Sequence, residues 1–236
     1  RKYNMGSEHQ VGGNGAHGMN EEGGWVTPFC LHEGNSDIMF SGMKNVWRAI
    51  GVTSNNFSWE KITESGGGNI HVVEHSPANH NLFFYARSGQ LFRTENVMDA
   101  DPEWLSLSTP GSGNIFDIQT YPTDENVVFI AKGSKVFISE DKGFNWTDIT
   151  GSLPDVNMNS LAIHPNSELG VFVGSDVGVY YRDAFLDDWE MFSVGLPVDA
   201  SVNEIEIYHN PADPEEDVIR AGTYGRGMWS SPLWQD

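Results

Sequence analysis

Aromatic residues recur along this chain with a nearly constant period. Four tryptophans, Trp59, Trp104, Trp146 and Trp189, follow one another at intervals of 45, 42 and 43 residues. A second series runs in phase with them at intervals of 45, 45, 43 and 49 residues, at Trp47, Phe92, Phe137, Tyr180 and Trp229. Two aromatic series with a shared period predict a chain built from repeated structural units.

Each repeat unit reads as a set of short β-strands. Between residues 157 and 195, the stretches NSLAIHP, LGVFVGS, GVYYRD and WEMFSV are bounded by Gly, Pro, Asn or Asp, which is typical of strands joined by tight turns. Four strands per unit at this period indicate a propeller blade. We therefore predict an all-β chain, a β-propeller of four-stranded antiparallel blades with five blades recognisable.

The predicted blades follow residues 1–24, which are a Gly-rich lead-in or the end of a preceding blade. They span about 25–65, 69–109, 114–154, 157–197 and 202–236, and the last one stops after its third strand, GMWSSPL. Two hypotheses account for the incomplete blade. Either a segment before Trp25, such as RKYNM at 1–5, supplies the fourth strand, or the chain is part of a larger propeller, which we expect because it lacks an initiator Met.

The composition excludes one class of partner. Lys and Arg total 13 against 33 for Asp and Glu, a net charge of −20, so a nucleic-acid backbone would be repelled. No apolar run approaches the length of a membrane span, so direct membrane insertion is not expected.

Cys30 is the single cysteine. No zinc-type or EF-hand spacing occurs, so we expect no metal site and no cofactor; calcium suits the acidity, but no motif supports it.

One polar stretch, SEDKGFNW at 139–146, resembles the Asp-box, or BNR repeat, of sialidases, xyloglucan-cleaving glucanases and sortilin-type propellers. Its four defining positions are Ser139, Asp141, Gly143 and Trp146. The resemblance implies a peripheral turn between the third and fourth strands, away from the ligand cleft. There Asp141 would accept backbone N–H bonds, Gly143 would take a positive φ, and Trp146 would fill the apolar seam beside the next blade.

Other phrases resemble propellers of secreted and surface proteins in gliding-type bacteria that use the type IX secretion pathway. They are GGWVTPFCLHEGNSDIMFSGMKNVWRA at 23–49, GSDVGVYYRD at 174–183, FSVGLP at 192–197 and AGTYGRGMWSSPL at 221–233. This resemblance implies a secreted or cell-surface location. It also implies a propeller that belongs to a longer chain or a larger assembly.

Polar residues recur at the start of each predicted inner strand and in the loop between the second and third strands. If the inner strands line the centre, these residues share one ligand face. The candidates are Asn69, His71, Arg87, Asn114, Lys132, Asn159, Asn203, Tyr224 and Arg226. Such a rim suits a glycan or a peptide. The competing interpretation is that the Asn side chains only satisfy backbone groups at the strand entries.

Catalysis has weaker support in the sequence. An inverting glycosidase needs two carboxylates about 6.5–9.5 Å apart, and the candidates are Asp117, Asp176 and Glu204. A sialidase also needs clustered arginines. Arg48, Arg93 and Arg182 each follow the aromatic residue of a third strand, so we interpret them as one repeated structural position.

The function predicted from the sequence is therefore non-catalytic. We expect a secreted or cell-surface propeller that serves as a binding or scaffold module for a glycan or protein partner. Two other hypotheses stay open: a glycoside hydrolase of the sialidase or glucanase kind, and a subunit or cargo of a bacterial envelope or secretion assembly. A propeller fold does not choose among them, because function depends on the site.

Overall fold

A computed structural model of the 236-residue chain describes residues 3–4, 7–8, 16–54, 56–64 and 67–234. The regular structure in these residues is almost entirely β-strand, with two short 3-10 helices. The prediction of an all-β chain with five propeller blades is confirmed. The chain divides into two compact units, Arg1–Leu107 and Ser108–Asp236.

Unit 1 contains blades 1 and 2, each a four-stranded antiparallel sheet in chain order. Blade 1 comprises β3 (Phe29–His32), β4 (Asn35–Gly42), β5 (Val46–Ile50) and β6 (Trp59–Lys61). Blade 2 comprises β7 (Val72–His75), β8 (Phe83–Arg87), β9 (Gln90–Thr94) and β10 (Leu105–Leu107). The lead-in contributes β1 (Tyr3–Asn4), β2 (Ser7–Glu8) and the 3-10 helix η1 (Ala16–Gly18).

The segment considered as a fourth strand for the last blade, residues 1–5, lies outside the described residues except for Tyr3–Asn4. Those two residues pair with Ser7–Glu8 in a two-stranded sheet. The latch hypothesis therefore stays a prediction.

Unit 2 contains blades 3, 4 and 5. Blade 3 comprises β11 (Ile115–Thr120), β12 (Val128–Lys132), β13 (Lys135–Ser139) and β14 (Thr147–Asp148), and blade 4 comprises β15 (Met158–Ile163), β16 (Val171–Ser175), β17 (Gly178–Arg182) and β18 (Glu190–Met191). Blade 5 comprises β19 (Val202–Tyr208), β20 (Val218–Thr223) and β21 (Gly227–Pro232), with the 3-10 helix η2 (Pro214–Glu216) after β19. Within the described ranges blade 5 thus has three strands, as the sequence predicts.

Apolar side chains between successive blades form the cores. In unit 1, Phe40 and Val46 of blade 1 pack with Val73 and Tyr85 of blade 2. The same positions recur in unit 2, where the core between blades 3 and 4 contains Phe129, Val136, Leu161 and Val173, and the core between blades 4 and 5 contains Phe172, Val179, Ile205 and Ala221. Each fully buried aromatic or aliphatic side chain contributes about 1.5–3 kcal/mol through the area it removes from water.

Indole hydrogen bonds join neighbouring blades at their outer strands. The Trp104 Nε1–H donates to the Ile62 carbonyl at 2.9 Å, and the Trp189 Nε1–H donates to the Ile149 carbonyl at 2.6 Å. Both indoles therefore bond to the preceding blade, and the placement expected for Trp146 stays a prediction. The Nε1 atom of Trp146 is buried and has no hydrogen-bond partner among the described residues.

Replacing Trp189 with Phe tests this interblade bond. Trp189→Phe keeps an aromatic ring but removes the shorter of the two bonds to the Ile149 carbonyl and leaves the one from Arg182 at 3.3 Å, so we expect the free energy of unfolding to fall by about 0.5–1.5 kcal/mol. Trp146→Phe is the matched control, because its indole N–H makes no bond within the described residues. Urea denaturation of both variants provides the measurement. Equal losses of stability would contradict a role for the hydrogen bond.

Candidate functional site

The starts of the three inner strands of unit 2 lie at one end of that unit, which we call the entry end. Each inner strand has a bulge near its start, between Ile115 and Asp117, between Met158 and Ser160, and between Val202 and Glu204. Loop amides join these starts to neighbouring hairpins: Gly133 N–H to the Asn114 carbonyl, Asp176 N–H to the Asn157 carbonyl and Tyr224 N–H to the Ser201 carbonyl. Bulges of this kind re-aim side chains and are common next to functional sites.

Asp176 is the hub of a side-chain network at the entry end. Its Oδ2 accepts from Asn157 Nδ2 at 3.0 Å, and its Oδ1 accepts from Asn159 Nδ2 at 3.0 Å and from Ser201 Oγ at 3.3 Å. Asn159 also donates to the Val202 carbonyl at 3.0 Å. This network ties the inner strands of blades 4 and 5 together. It gives Asp176 and Asn159 structural partners, in line with the interpretation that the Asn side chains satisfy groups at the strand entries.

Asp117 is engaged in a similar way. Its Oδ1 accepts from the Ile118 amide at 2.7 Å and its Oδ2 from the Leu161 amide of blade 4 at 2.6 Å. Burial raises the pKa of Asp117 to about 7, and the nearby Glu204 charge adds to the rise, although the two amide bonds oppose it. Asp117 therefore bridges two inner strands, and its carboxyl group titrates near neutral pH.

Glu204 holds the position in blade 5 that Asp117 holds in blade 3 and Ser160 holds in blade 4, each following the bulge of its inner strand. The Glu204 side chain reaches solvent, yet surrounding protein atoms desolvate it and, with the charge of Glu206, raise its pKa to about 7. The Ser160 hydroxyl is buried and has no hydrogen-bond partner among the described residues. Sequence analysis did not single out Ser160, since one serine in an apolar strand gives no signal.

Three predicted ligand-face residues of blade 5 are exposed at the entry end. Tyr224 is 82% exposed, and Arg226 and Asn203 are exposed as well. Tyr224 and Arg226 lie in the turn between β20 and β21, next to the start of β19. They combine an aromatic face, a cation and an amide within one short stretch of surface.

Two basic residues predicted on the ligand rim are buried. Lys132 is 5% exposed and donates from Nζ to Thr109 at 2.8 Å, and burial lowers the pKa of its ammonium group. Arg87 is 6% exposed, donates to the Lys44 carbonyl at 2.8 Å, and lies over the rings of Tyr85 and Phe92. Their long stems carry the charge inward, so neither presents it to a ligand at the surface.

The remaining rim candidates are polar residues at strand entries. Asn114 is exposed before β11, and its carbonyl accepts from Gly133. In unit 1, Asn69 is half-buried and His71 is exposed, with the His71 amide donating to the Ala86 carbonyl. These residues lie in separately described units. Within unit 2, a hydrogen bond joins the candidates Asn159 and Asp176.

The stretch 139–146 forms the turn between β13 and β14. Ser139 Oγ donates to Asp141 Oδ1 at 2.8 Å, and Asp141 accepts from the backbone N–H of Asn145 at 2.7 Å. Gly143 has φ 87° and donates its amide to Ser139 Oγ at 2.8 Å. These hydrogen bonds lower the pKa of Asp141. The carboxylate holds the turn closed, which is a structural task.

The interpretation of three arginines as one repeated position is wrong for Arg182. Arg48 pairs with Phe40 and Arg93 with Phe84, but the residue that pairs with the equivalent Phe172 is Tyr181. Arg182 is one residue further along, so the alternation of a β-strand turns it to the opposite face. Arg48 accordingly donates to the Val97 carbonyl of the next blade, while Arg182 donates to the Ile149 carbonyl of the preceding one.

Unit 1 contains a cluster of three histidine side chains that the sequence analysis did not predict. The rings of His32 and His75 lie 4.3 Å apart and those of His32 and His80 lie 5.0 Å apart. His75 Nδ1 accepts from the Glu33 amide at 3.2 Å, and its Nε2 bonds the His80 carbonyl at 3.0 Å, so the neutral ring fits this site. Burial lowers the pKa of His75 to about 4 and lowers that of His32. No sequence spacing announces the cluster, because its members come from two blades.

Acid should destabilise unit 1 through His75. His75 is protonated below about pH 6.5 in the unfolded chain but only near pH 4 in the folded chain. Its contribution to the free energy of unfolding is therefore complete above pH 6.5, and it falls by about 1.4 kcal/mol per pH unit as the pH drops from 6.5 to 4. The non-titrating variant His75→Gln should be less stable at pH 7.5 but lose less on acidification. Glu33 has the opposite effect, because burial raises its pKa and acid therefore stabilises the folded chain through it. The quantity to compare at each pH is the difference in free energy of unfolding between the unmodified protein and His75→Gln.

Urea unfolding at pH 7.5, 6 and 5 measures that difference. His71→Gln, a change at an exposed histidine of the same unit, is the control and should follow the unmodified protein. Parallel pH dependences for the unmodified protein and His75→Gln would contradict the assignment.

No group of three or more His, Cys, Asp or Glu within the described ranges is arranged to hold a metal ion. None of the helices formed by the described residues has the length and apolar character required to cross a membrane.

Comparison with known proteins finds no matching family model and no matching curated protein. Solved structures share the fold. An ancestral GH74 enzyme aligns over 88% of this chain with 15% identity and a TM-score of 0.62. The GH74 enzyme of Niastella koreensis aligns over 86% with 15% identity and a TM-score of 0.66, and the GH74 xyloglucanase from Xanthomonas campestris over 90% with 14% identity and a TM-score of 0.65.

The matched part covers 32%, 29% and 37% of those three proteins, respectively. The chain thus spans little more than a third of their length at most. At such low identity the likeness concerns the propeller fold.

Proposed function

We propose that the chain is a non-catalytic binding module whose entry end in unit 2 binds a neutral glycan or a peptide. The observation that carries this proposal is the use of the candidate carboxylates: both oxygens of Asp117 and both oxygens of Asp176 accept hydrogen bonds that tie the inner strands together. Of these three candidates Glu204 is exposed, whereas Asp117 and Asp176 are half-buried. A glycosidase needs two carboxylates that act on opposite sides of the scissile bond.

The exposed residues at the entry end supply recognition chemistry. The Tyr224 ring offers a flat apolar face, Arg226 offers several N–H donors, and Asn203 offers both a donor and an acceptor. All three are exposed on a rigid β-framework. The net charge of −20 favours neutral or cationic ligands over polyanions.

Glycoside hydrolysis is the second candidate function. A carboxyl group with a pKa of about 7, such as that of Glu204, suits a general acid near neutral pH, and the structural neighbours are GH74 enzymes. However, Glu204 and Glu206 are two residues apart on β19 and project from the same side of the strand. They stand next to each other, which does not place carboxylates on both sides of a sugar bond.

The proposed setting is a secreted or cell-surface protein of a bacterium, in which this propeller belongs to a longer chain or assembly. The resemblance of 174–183 and 221–233 to type IX-secreted propellers supports it, as does the Asp-box-like turn around Asp141. A role as subunit or cargo of an envelope assembly is compatible with the same setting. It differs from the main proposal in placing the partner on an apolar surface.

Arrays of neutral glycans and of peptides, followed by calorimetry on each hit, test the binding function. Tyr224→Ala and Arg226→Ala should each weaken binding about tenfold, a loss of about 1.4 kcal/mol. Tyr208→Ala removes an exposed tyrosine at the opposite end of β19 and should leave binding unchanged. Binding that survives both entry-end variants would place the ligand elsewhere.

A reducing-sugar assay on xyloglucan separates the rival function. The unmodified protein should release no product. Turnover that Glu204→Gln abolishes would overturn the non-catalytic proposal in favour of a hydrolase.

A further inference from the structure

The hairpin turn between β4 and β5 of blade 1 holds a carboxylate from outside the blade. Oε2 of Glu21 accepts from the Asn45 amide at 2.8 Å and from the Trp47 indole N–H at 3.1 Å, and Oε1 accepts from Asn45 Nδ2 at 2.7 Å. We call these three N–H groups the hairpin donors. Burial acts to raise the pKa of Glu21, but hydrogen bonds from Trp47, Asn45 and the Lys44 backbone outweigh it and lower the pKa. The group that the hairpin holds is therefore an anion at neutral pH.

Blade 1 itself fixes the hairpin donors in place. Asn45 is 2% exposed and Trp47 is 5% exposed. The Thr63 hydroxyl donates to Asn45 Oδ1 at 3.0 Å and accepts from the Val46 amide at 3.0 Å, so the Asn45 side chain is bound through its oxygen and is left to donate through Nδ2. Without an acceptor these buried N–H groups would be unsatisfied, which costs free energy. The donors are thus prepared for a carboxylate before one arrives.

This combination of an amide and an indole is particular to blade 1 among the four complete blades. The residues at the positions of Asn45 and Trp47 are Gln90 and Phe92 in blade 2, Lys135 and Phe137 in blade 3, and Gly178 and Tyr180 in blade 4. Packing of one blade on another therefore does not require the pair. The carboxylate that the pair binds accounts for it.

A buried cation strengthens the backbone donor. Arg87 of blade 2 donates from Nη2 to the Lys44 carbonyl at 2.8 Å. That carbonyl and the Asn45 N–H belong to one peptide group, so the guanidinium polarises the amide that donates to Glu21. Arg87 does not reach the surface, being 6% exposed. Its positive charge nevertheless acts on the bound anion through a single peptide unit.

Glu21 belongs to the segment 16–24, which is anchored on blade 1 by another side chain. Met19 is fully buried in the apolar cluster of that blade. Asn20 and Glu22, on either side of Glu21, are exposed. Because Met19 holds the segment independently of the carboxylate, Glu21 can leave the hairpin donors without release of the whole segment.

We propose that the hairpin donors form a carboxylate-binding site of unit 1, which Glu21 fills as a ligand from the same chain and which also binds a carboxylate of another polypeptide in its place. That carboxylate is an acidic side chain or a C-terminus. Charge-assisted hydrogen bonds to both oxygens supply the affinity. Glu21 competes for the donors at the high effective concentration of a tethered group, so it sets how strongly an outside carboxylate must bind. This site is separate from the entry end of unit 2.

Replacing Glu21 with alanine empties the hairpin donors and so tests the proposal. Calorimetric titration with sodium acetate at constant ionic strength should show saturable binding to Glu21→Ala. Binding to the unmodified protein should be at least about tenfold weaker, because Glu21 competes there. Acetamide has the same shape without the charge and should not bind. Glu22→Ala, a change at the exposed neighbouring acid, is the matched control and should behave as the unmodified protein.

A second change locates the bound acetate. Trp47→Phe keeps an aromatic ring but removes the indole donor. Combined with Glu21→Ala, it should weaken acetate binding about tenfold, since hydrogen bonds to charged groups are stronger than neutral ones. If Glu21→Ala fails to fold, Glu21→Gln decides: its uncharged amide competes less well for the donors, so it should bind acetate more tightly than the unmodified protein does.

Two short peptides distinguish the sources of the carboxylate. Acetyl-Ala-Glu-Ala-amide carries it on a side chain, and acetyl-Ala-Ala-Ala carries it at the C-terminus. At least one of them should bind Glu21→Ala and be displaced by acetate, whereas acetyl-Ala-Gln-Ala-amide, which has no carboxylate, should not bind.

Three results with acetate would overturn the proposal: no saturable binding to Glu21→Ala, equal binding to the unmodified protein, or binding that Trp47→Phe leaves unchanged. Binding of acetate but of neither peptide would overturn it as well. The hairpin donors would then serve only to hold Glu21.

Discussion

Covering both faces of every sheet is the constraint on which this structure depends. Each blade is a small sheet with apolar side chains on both faces, and it is stable only when neighbouring elements bury them. The second strands of blades 1 to 4 carry Phe40, Phe84, Phe129 and Phe172 at equivalent positions, all of them essentially inaccessible to solvent. Trp104 and Trp189 add directional hydrogen bonds to this non-directional packing, which join blade 2 to blade 1 and blade 4 to blade 3.

The same constraint explains the sheet faces at the ends of each unit. In blade 5, Arg220 replaces the buried phenylalanine and lies over the Tyr208 ring at 5.8 Å, and Ser230 replaces Tyr181 of blade 4. In blade 1, the lead-in covers the opposite face, with Met19 buried and Glu21 accepting from the Trp47 indole at 3.1 Å.

This framework also decides which polar residues are available for function. Inner strands that meet at the entry end must satisfy the backbone groups that their bulges leave unpaired. Asp117 meets part of that need, because it accepts from the Ile118 and Leu161 amides. Asp176 accepts from side chains at the strand entries instead. Exposed side chains of the last hairpin, such as Tyr224 and Arg226, have no such task, so they can contact a ligand without cost to the fold.

Local patterns in the sequence predicted most of the fold. The aromatic period predicted five blades, and the three-strand pattern after residue 202 predicted the incomplete sheet. The turn around Asp141 was predictable for the same reason, because its contacts join residues within six positions of one another. Such features depend on neighbouring residues and on the alternation of strands.

The candidate site was predictable only in part. Arg87 and Lys132 carry the positive charge expected of a binding rim, yet their long side chains turn inward to partners distant in sequence. Arg182 shows how a shift of one residue in a strand changes the face and the neighbouring blade. The histidine cluster and the bridge from Asp117 to Leu161 join different blades, so no local pattern announces them.

By itself, the sequence determined the repeat, the strand order within each blade and the turns, because hydrophobic periodicity and turn chemistry are local properties. Only the tertiary structure decided which carboxylates accept hydrogen bonds from backbone amides and which cations are buried. These outcomes depend on contacts between residues that lie some 40 positions apart along the chain, and such contacts exist only once the blades have packed.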